Sequence, residues 1–333
     1  MSRISIALAV WSLITPLGCA ETPEAGARQP SADGRTLQDA EETADSGKQD
    51  DLTWRIYDTM HDRPGSQASL GRHGIVPAHV FMKNSFYEPG EDKGEPPTEK
   101  RVKKFARKIP HEVLTCMDLE GEDWTRLTYW DSDAGDWAFN EDAYETMLNI
   151  ARWINEANSD LTWGFFWRPP VSGLWKSAHK NHLEGNTERA EEIMSRWREY
   201  EERIEPLYHE VDVVIVSLYY TDRRYRTFAE FQQAAAFFFE HWENPTDKPV
   251  YVFMCPLDPY TNTSRGGKFL SRQHWRWCMD FAYEHTDGLL LWSDVPFDWD
   301  THAKGRPWWG ETQRFLREIN RTERLREDDS AAR

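Results

Sequence analysis

An apolar run that ends in two carboxylates is the part of this chain best placed to do chemistry: Val113-Leu114-Thr115-Cys116-Met117-Asp118-Leu119-Glu120. Residues two apart in a strand point to one face, so Asp118 and Glu120 address a single site about 7 Å apart along the chain. Two like charges that close raise one pKa, and partial burial adds to the shift. A carboxyl that stays protonated near neutral pH is what protonating a glycosidic oxygen requires. The same residue types also fit a solvated strand end, a carboxylate paired with arginine, or a divalent-metal site extended by Glu122, Asp123, Asp131 and Asp133. No histidine pair stands nearby and the Asp131–Asp136 run lacks calcium-loop spacing, so neither a metal nor a cofactor is assigned.

The elements that must position this pair alternate regularly. Trp54–Met60, Ala78–Met82, Val113–Glu120, Thr162–Arg168, Val211–Tyr219, Pro249–Cys255 and Gly288–Asp294 read as strands. Helices are predicted near Thr98–Lys108, Glu141–Asn158, Thr187–Tyr208, Thr227–Trp242, Arg272–Glu284 and Trp309–Asn320, with Thr98 and Thr187 as helix starts. Seven such strands over some 270 residues favour an α/β fold, a (β/α) TIM-type barrel of irregular, seven-stranded form. A doubly wound sheet is the alternative, but no glycine-rich phosphate loop follows the first strand.

In a barrel the chemistry sits where strands end. Read in turn, those ends are Asp58 and His61; Lys83 and Asn84; Asp118 and Glu120; Trp167 and Arg168; Tyr219, Tyr220 and Asp222; Asp258 and Tyr260; Trp292 and Asp294. Glu120 and Asp118 are the expected catalytic pair. Tyr219, Trp292, Trp167, Arg168, Tyr220, Asp222, Asp294 and Asp58 are the expected substrate contacts.

The 333 residues carry 40 Lys+Arg against 57 Asp+Glu, a formal charge of −17 that argues against nucleic acid as a partner. Seventeen tryptophans exceed what a core needs and suggest some rings exposed for stacking, with sugars a natural partner; the others pack helices. Basic residues gather after the fourth to sixth strands (Arg168, Lys176, His179, Lys180, His182; Arg223, Arg224, Arg226; Arg265, Lys268), where loops would rim the mouth and favour an anionic glycan. Cys116, Cys255 and Cys278 have no zinc-ligand spacing, and buried free thiols are expected for at least two of them.

Met1–Ala20 reads as a signal peptide: Arg3, a short apolar run Ile4–Ile14, then Gly18-Cys19 as in a bacterial lipobox, with Cys19 the lipidation site. Pro16 stands where the lipobox has leucine, and cleavage after Ala20 is the alternative. Glu21–Asp50 has eight acidic and three basic residues and no Phe, Trp, Tyr, Val or Ile, which suits a disordered tether. The expected organisation is thus signal peptide 1–20, tether 21–50, barrel 51–322 and a frayed tail 323–333. The protein would be exported to the bacterial cell envelope as a lipoprotein or secreted, touching a membrane only through its lipid.

An ordered set of segments resembles the hyaluronidase-type glycoside hydrolases: Asp118-Leu119-Glu120 ending an early strand, Trp163-Gly164-Phe165-Phe166 after a long helix, Ser217-Leu218-Tyr219, Pro249-Val250-Tyr251-Val252, and Gly288-Leu289-Leu290-Leu291-Trp292. The resemblance implies a seven-stranded barrel and a retaining, substrate-assisted mechanism. In it the sugar's acetamido oxygen attacks the anomeric carbon, Glu120 is the acid and then the base, and Asp118 orients the acetamido group. Tyr219 and Trp292 would line the cleavage subsite. The chain departs from that pattern at Phe253 and Ile215, where the family has tyrosines, and it lacks the disulfides of the animal enzymes. Asp222 or Asp294 as nucleophile opposite Glu120 is a second route. A non-catalytic glycan-binding lipoprotein, and a lyase or metal-dependent hydrolase, are the other functions the sequence admits.

Overall fold

The computed structural model describes residues 54–59, 74–88, 94–119, 123–166, 168–171, 173–218, 225, 227–256, 269–292 and 305–331, the side chains of 321–331 excepted. Seven strands of the described residues form one parallel sheet: β1 (Arg55–Asp58), β2 (Val76–Met82), β3 (Leu114–Asp118), β6 (Trp163–Phe165), β7 (Val214–Ser217), β8 (Val250–Met254) and β9 (Gly288–Leu291). Their order is β6-β3-β2-β1-β9-β8-β7. The two ends of this sheet meet. Phe166 forms a parallel bridge with Ile215. The N–H groups of Asp212 and Val213 donate to the Trp163 carbonyl at 2.9 and 3.2 Å. The sheet therefore closes into the expected (β/α) barrel.

Two positions in the wall, Gly164 at the closing seam and Gly288 between β1 and β8, leave no room for a side chain. A Cβ on Gly164 would stand 2.3 Å from the Val213 carbonyl oxygen, and one on Gly288 would stand 2.7 Å from that of Arg55. No other residue lets the neighbouring backbones approach so closely. Strands β3, β7, β8 and β9 are buried at every residue, as a sheet covered on both faces requires.

The outer layer is α1 (Glu99–Ala106), α2 (Glu141–Ala157), α3 (Leu174–Leu183), α4 (Thr187–Arg203), α5 (Glu205–Glu210), α6 (Phe228–His241), α7 (Arg272–His285) and α8 (Pro307–Ala331). Asn140, Thr227 and Ser271 cap α2, α6 and α7 by accepting the N–H of the third residue on. Thr98 precedes α1 without a side-chain cap bond, and Thr187 lies inside α4 behind its N-cap Asn186. The single long helix expected over Thr187–Tyr208 is two, α4 and α5, broken at Ile204 ahead of Pro206.

Two elements were not expected. One is α3, in a stretch read as a basic loop. The other is an antiparallel hairpin, β4 (Thr128–Asp131) and β5 (Asp136–Phe139). The acidic run weighed as a metal loop is its turn: Asp131 Oδ1 accepts the N–H groups of Asp133 and Ala134 at 2.9 and 3.2 Å, and Gly135 takes φ +67°.

Most described tryptophans pack the barrel against its helices. Trp54, Trp124, Trp163, Trp175, Trp197, Trp242, Trp275, Trp308 and Trp309 are all buried. Several spend their N–H locally: Trp163 on Asn155 at 2.9 Å, Trp197 on the Val171 carbonyl at 3.0 Å, Trp275 on Thr312 at 2.8 Å. No described helix is long and apolar enough to cross a membrane.

Candidate active site

Which strand residues face the lumen follows from register. Phe81 packs edge-on against Phe105 of α1 at 5.0 Å, and Trp163 reaches Asn155 of α2, so both point outward. Phe81 pairs with Met117 and Met117 with Phe165, which puts that parity on the outer face throughout. The alternate residues, Val80 and Met82, Cys116 and Asp118, and Gly164, turn into the barrel. Asp118 is 8% exposed and stands opposite Met82, itself 49% exposed, at the C-terminal rim.

On the other side of the lumen Phe166 and Phe253 meet at 4.9 Å, and Phe253 meets Trp292 at 5.9 Å. Ser217 pairs with Phe253 on this face, and its buried hydroxyl has no hydrogen-bond partner among the described residues. Deeper in, Tyr57 and Tyr251 bring their rings to 5.1 Å and their hydroxyls to 3.5 Å across Gly288. Burial, with the Tyr57 hydroxyl beside it, pushes the Tyr251 phenol far above its usual range.

Asp118 and Trp292 therefore share the inner face at one rim. Asp58 does not join them. It pairs with Pro77 and Leu291, carries the outward parity and is 1% exposed, beneath the helical layer. Its neighbour Tyr57 takes the lumen position instead; only the register of β1 against β2, invisible in one sequence, distinguishes the two. Arg168 stands partly buried just past β6. Glu120, Trp167, Tyr219, Tyr220, Asp222, Asp294 and Cys19 lie outside the described residues.

The segment after β6 is held from behind. Glu201 of α4 accepts the Val171 N–H at 2.6 Å and the Tyr208 hydroxyl at 2.5 Å, and Trp242 donates to Tyr208 at 3.0 Å. Burial pushes the Glu201 carboxyl up to about 7, against the two hydrogen bonds that favour its charged form.

The hairpin belongs to the same rim, because it lies between the end of β3 and the start of α2. Asp136 ties it to α4 through ion pairs with Arg189 at 3.1 Å and with Arg196. Burial alone would raise the Asp136 carboxyl, but the Trp137 N–H and the two guanidinium groups hold it below its usual value. Arg196 and the Tyr200 hydroxyl both donate to the Trp137 carbonyl at 3.1 Å. The Trp137 ring covers Gly173, where a Cβ would come within 3.3 Å of it.

Of the basic residues expected to rim the mouth, Arg223, Arg224, Arg226, Arg265 and Lys268 lie outside the described residues. Lys176, His179 and Lys180 ride on α3 and line a cavity of about 690 Å³ against α6, together with Glu184 and Glu230. Lys180 pairs with Glu184 at 3.9 Å, and burial lowers the His179 pKa, so this cavity is not the cationic surface expected of a loop.

No family model and no curated protein matches the sequence. Among solved structures, bee venom hyaluronidase is similar at a TM-score of 0.49 and 11% identity, over 80% of this chain and 97% of that one. The same protein in complex with a hyaluronic acid tetramer gives 0.48 and 12%, over 80% and 96%. Phosphoribosyl anthranilate isomerase from Thermotoga maritima gives 0.29 and 10%, over 80% and 99%.

Proposed function

We propose that the protein is a glycoside hydrolase that cleaves a polysaccharide across the mouth of the barrel. The observation that carries this reading is the place of Asp118: the last residue of β3, on the lumen face, at the rim shared with Trp292. Glu120 follows two residues on and is assigned the proton transfer. It protonates the glycosidic oxygen as the bond to the anomeric carbon breaks, then takes a proton from the water that replaces the leaving sugar. Asp118 is assigned to orient an acetamido group of the substrate, whose carbonyl oxygen attacks the anomeric carbon. That division explains why a carboxylate pair on a single strand suffices, where enzymes with a protein nucleophile place two carboxyls on opposite sides of the bond. Trp292 and Tyr219 are assigned to the cleavage subsite, with Trp167, Arg168, Tyr220, Asp222 and Asp294 around it. Export and tethering through Cys19 complete the reading, with an N-acetylated or anionic glycan as substrate.

The test is an activity screen of the protein on a panel of soluble polysaccharides, read by reducing ends and by ultraviolet absorbance, beside Glu120→Gln. Hydrolysis by the parent protein and none by the variant is expected. Products absorbing in the ultraviolet would replace hydrolysis with elimination. Binding without product from either protein would make the chain a glycan-binding lipoprotein.

A further inference from the structure

We propose that Trp130, on the β4–β5 hairpin, is a stacking platform for an uncharged sugar ring of the bound glycan, outside the cleavage subsite. The proposal rests on the polysaccharide reading above and adds to it a second, separate point of contact.

Trp130 is 52% exposed, in a protein that buries most of its described tryptophans. Its cross-strand partner is Trp137, with ring centres 6.0 Å apart and planes at 86°. An edge-on contact covers at most one face of either ring, so hairpin packing leaves a flat apolar surface of Trp130 open. That open face is the geometry a sugar ring needs for stacking.

The hairpin is also held still. The Asp136 ion pairs, the two hydrogen bonds to the Trp137 carbonyl and the Asp131 turn fix the turn end of the ribbon, next to Trp130. A ligand meeting Trp130 therefore has little ordering entropy to overcome. Topology sets its position: the ribbon rises directly after β3, which ends in Asp118, and leans on Gly173 and α4 beyond β6. Trp292 stands at the end of β9, three strands from β3 in the sheet order. A sugar chain crossing the mouth from Trp292 over Asp118 continues toward Trp130.

Charge selects the ring. Asp131 and Asp133 flank Trp130 at the turn, and neither has an ion pair among the described residues. A uronate or sulfate stacked there would be repelled, whereas a neutral pyranose presents only C–H bonds to the indole and hydroxyls to the carboxylates.

The experiment measures affinity, not turnover, in the full chain carrying Glu120→Gln. The probes are soluble N-acetylglucosamine oligomers, xylan and alginate, titrated by calorimetry. Trp130→Ala should weaken binding of a neutral probe about tenfold, equivalent to about 1.4 kcal/mol, and Trp130→Phe should recover much of it. Tyr129→Ala is the control, because Tyr129 is 41% exposed on the opposite face of the same ribbon; it should bind as the parent does, with all variants melting together. Equal affinity of Trp130→Ala and the parent overturns the platform, as does an equal loss in Tyr129→Ala. A loss confined to alginate overturns the assignment to an uncharged ring. If the parent binds none of the probes and hydrolyses nothing on the panel, the polysaccharide reading falls and the platform with it.

Discussion

Met82 and Asp118 stand in register at the ends of β2 and β3, and both turn into the lumen. A half-exposed methionine thus stands beside Asp118, which is itself 8% exposed. Asp118→Asn keeps the shape and removes the charge. It is expected to lower kcat by about 100- to 1,000-fold, the range for losing one preorganised electrostatic contact, while the melting temperature stays near that of the parent. Initial rates on the substrate found by the polysaccharide screen check it; an unchanged kcat would remove Asp118 from the mechanism.

Trp292 is packed against Phe253 on the same inner face. Trp292→Ala should raise KM about tenfold, a loss of about 1.4 kcal/mol of binding, and Trp292→Phe should fall between. A fall in melting temperature without a change in KM would make Trp292 part of the core instead.

Glycine at 164 is a geometric requirement, not a preference. Gly164→Ala drives a Cβ into the Val213 carbonyl and is expected to cost about 1–3 kcal/mol or more. Gly310→Ala, on α8 with nothing within 4 Å of a new Cβ, should instead be neutral or gain about 0.5–1 kcal/mol. Chemical denaturation of the two variants side by side is the measurement.

Glu201 gives stability a pH dependence of definite sign. Its folded pKa, about 7, lies above the ordinary 4.5. The folded state therefore binds the proton more tightly than the unfolded one between those values. The contribution is fully present below about pH 4.5 and lost as pH rises through about 7. Glu201→Gln should flatten the melting temperature across that window relative to the parent. An identical slope in both proteins would show that another group sets it.

Cys116, Cys255 and Cys278 are buried and unbridged, and burial pushes the Cys278 thiol above its usual value. A thiol reductant should leave the melting curve unchanged, and a thiol-reactive dye should label these three positions only as the protein unfolds.

The barrel was legible because its strands are short runs of Val, Ile, Leu, Phe and Tyr buried on both faces, a pattern that half-solvated strands and surface helices do not produce. The hairpin was not legible. Thr128–Asp131 is too brief to alternate visibly, and its turn, Asp-Ser-Asp-Ala-Gly-Asp, shows carboxylates in place of the usual two-residue hairpin signal. α3 escaped because Lys176, His179, Lys180 and His182 mask the apolar face made by Leu174, Trp175 and Ala178. At the site, spacing showed only that Asp118 and Glu120 share a face; that the face is the lumen follows from the pairing of β3 with β2 and β6. Asp58 and Tyr57 are adjacent, so a shift of one residue exchanges lumen for helix layer, and only pairing with β2 and β9 decides between them.

The junction of β6 with β7 has a consequence for how the barrel breathes. These are edge strands brought into contact by the close approach at Gly164, sharing one bridge and the bonds to the Trp163 carbonyl, whereas every other neighbouring pair shares a ladder, the shortest being β1 with β2. Amide hydrogen exchange should be fastest along this seam, the line where the wall opens at least cost. β6 leads toward Arg168 and β7 ends at Ser217, so this seam lies beneath one side of the mouth. Exchange along the ladder from β3 through β8 should be slower than at this seam.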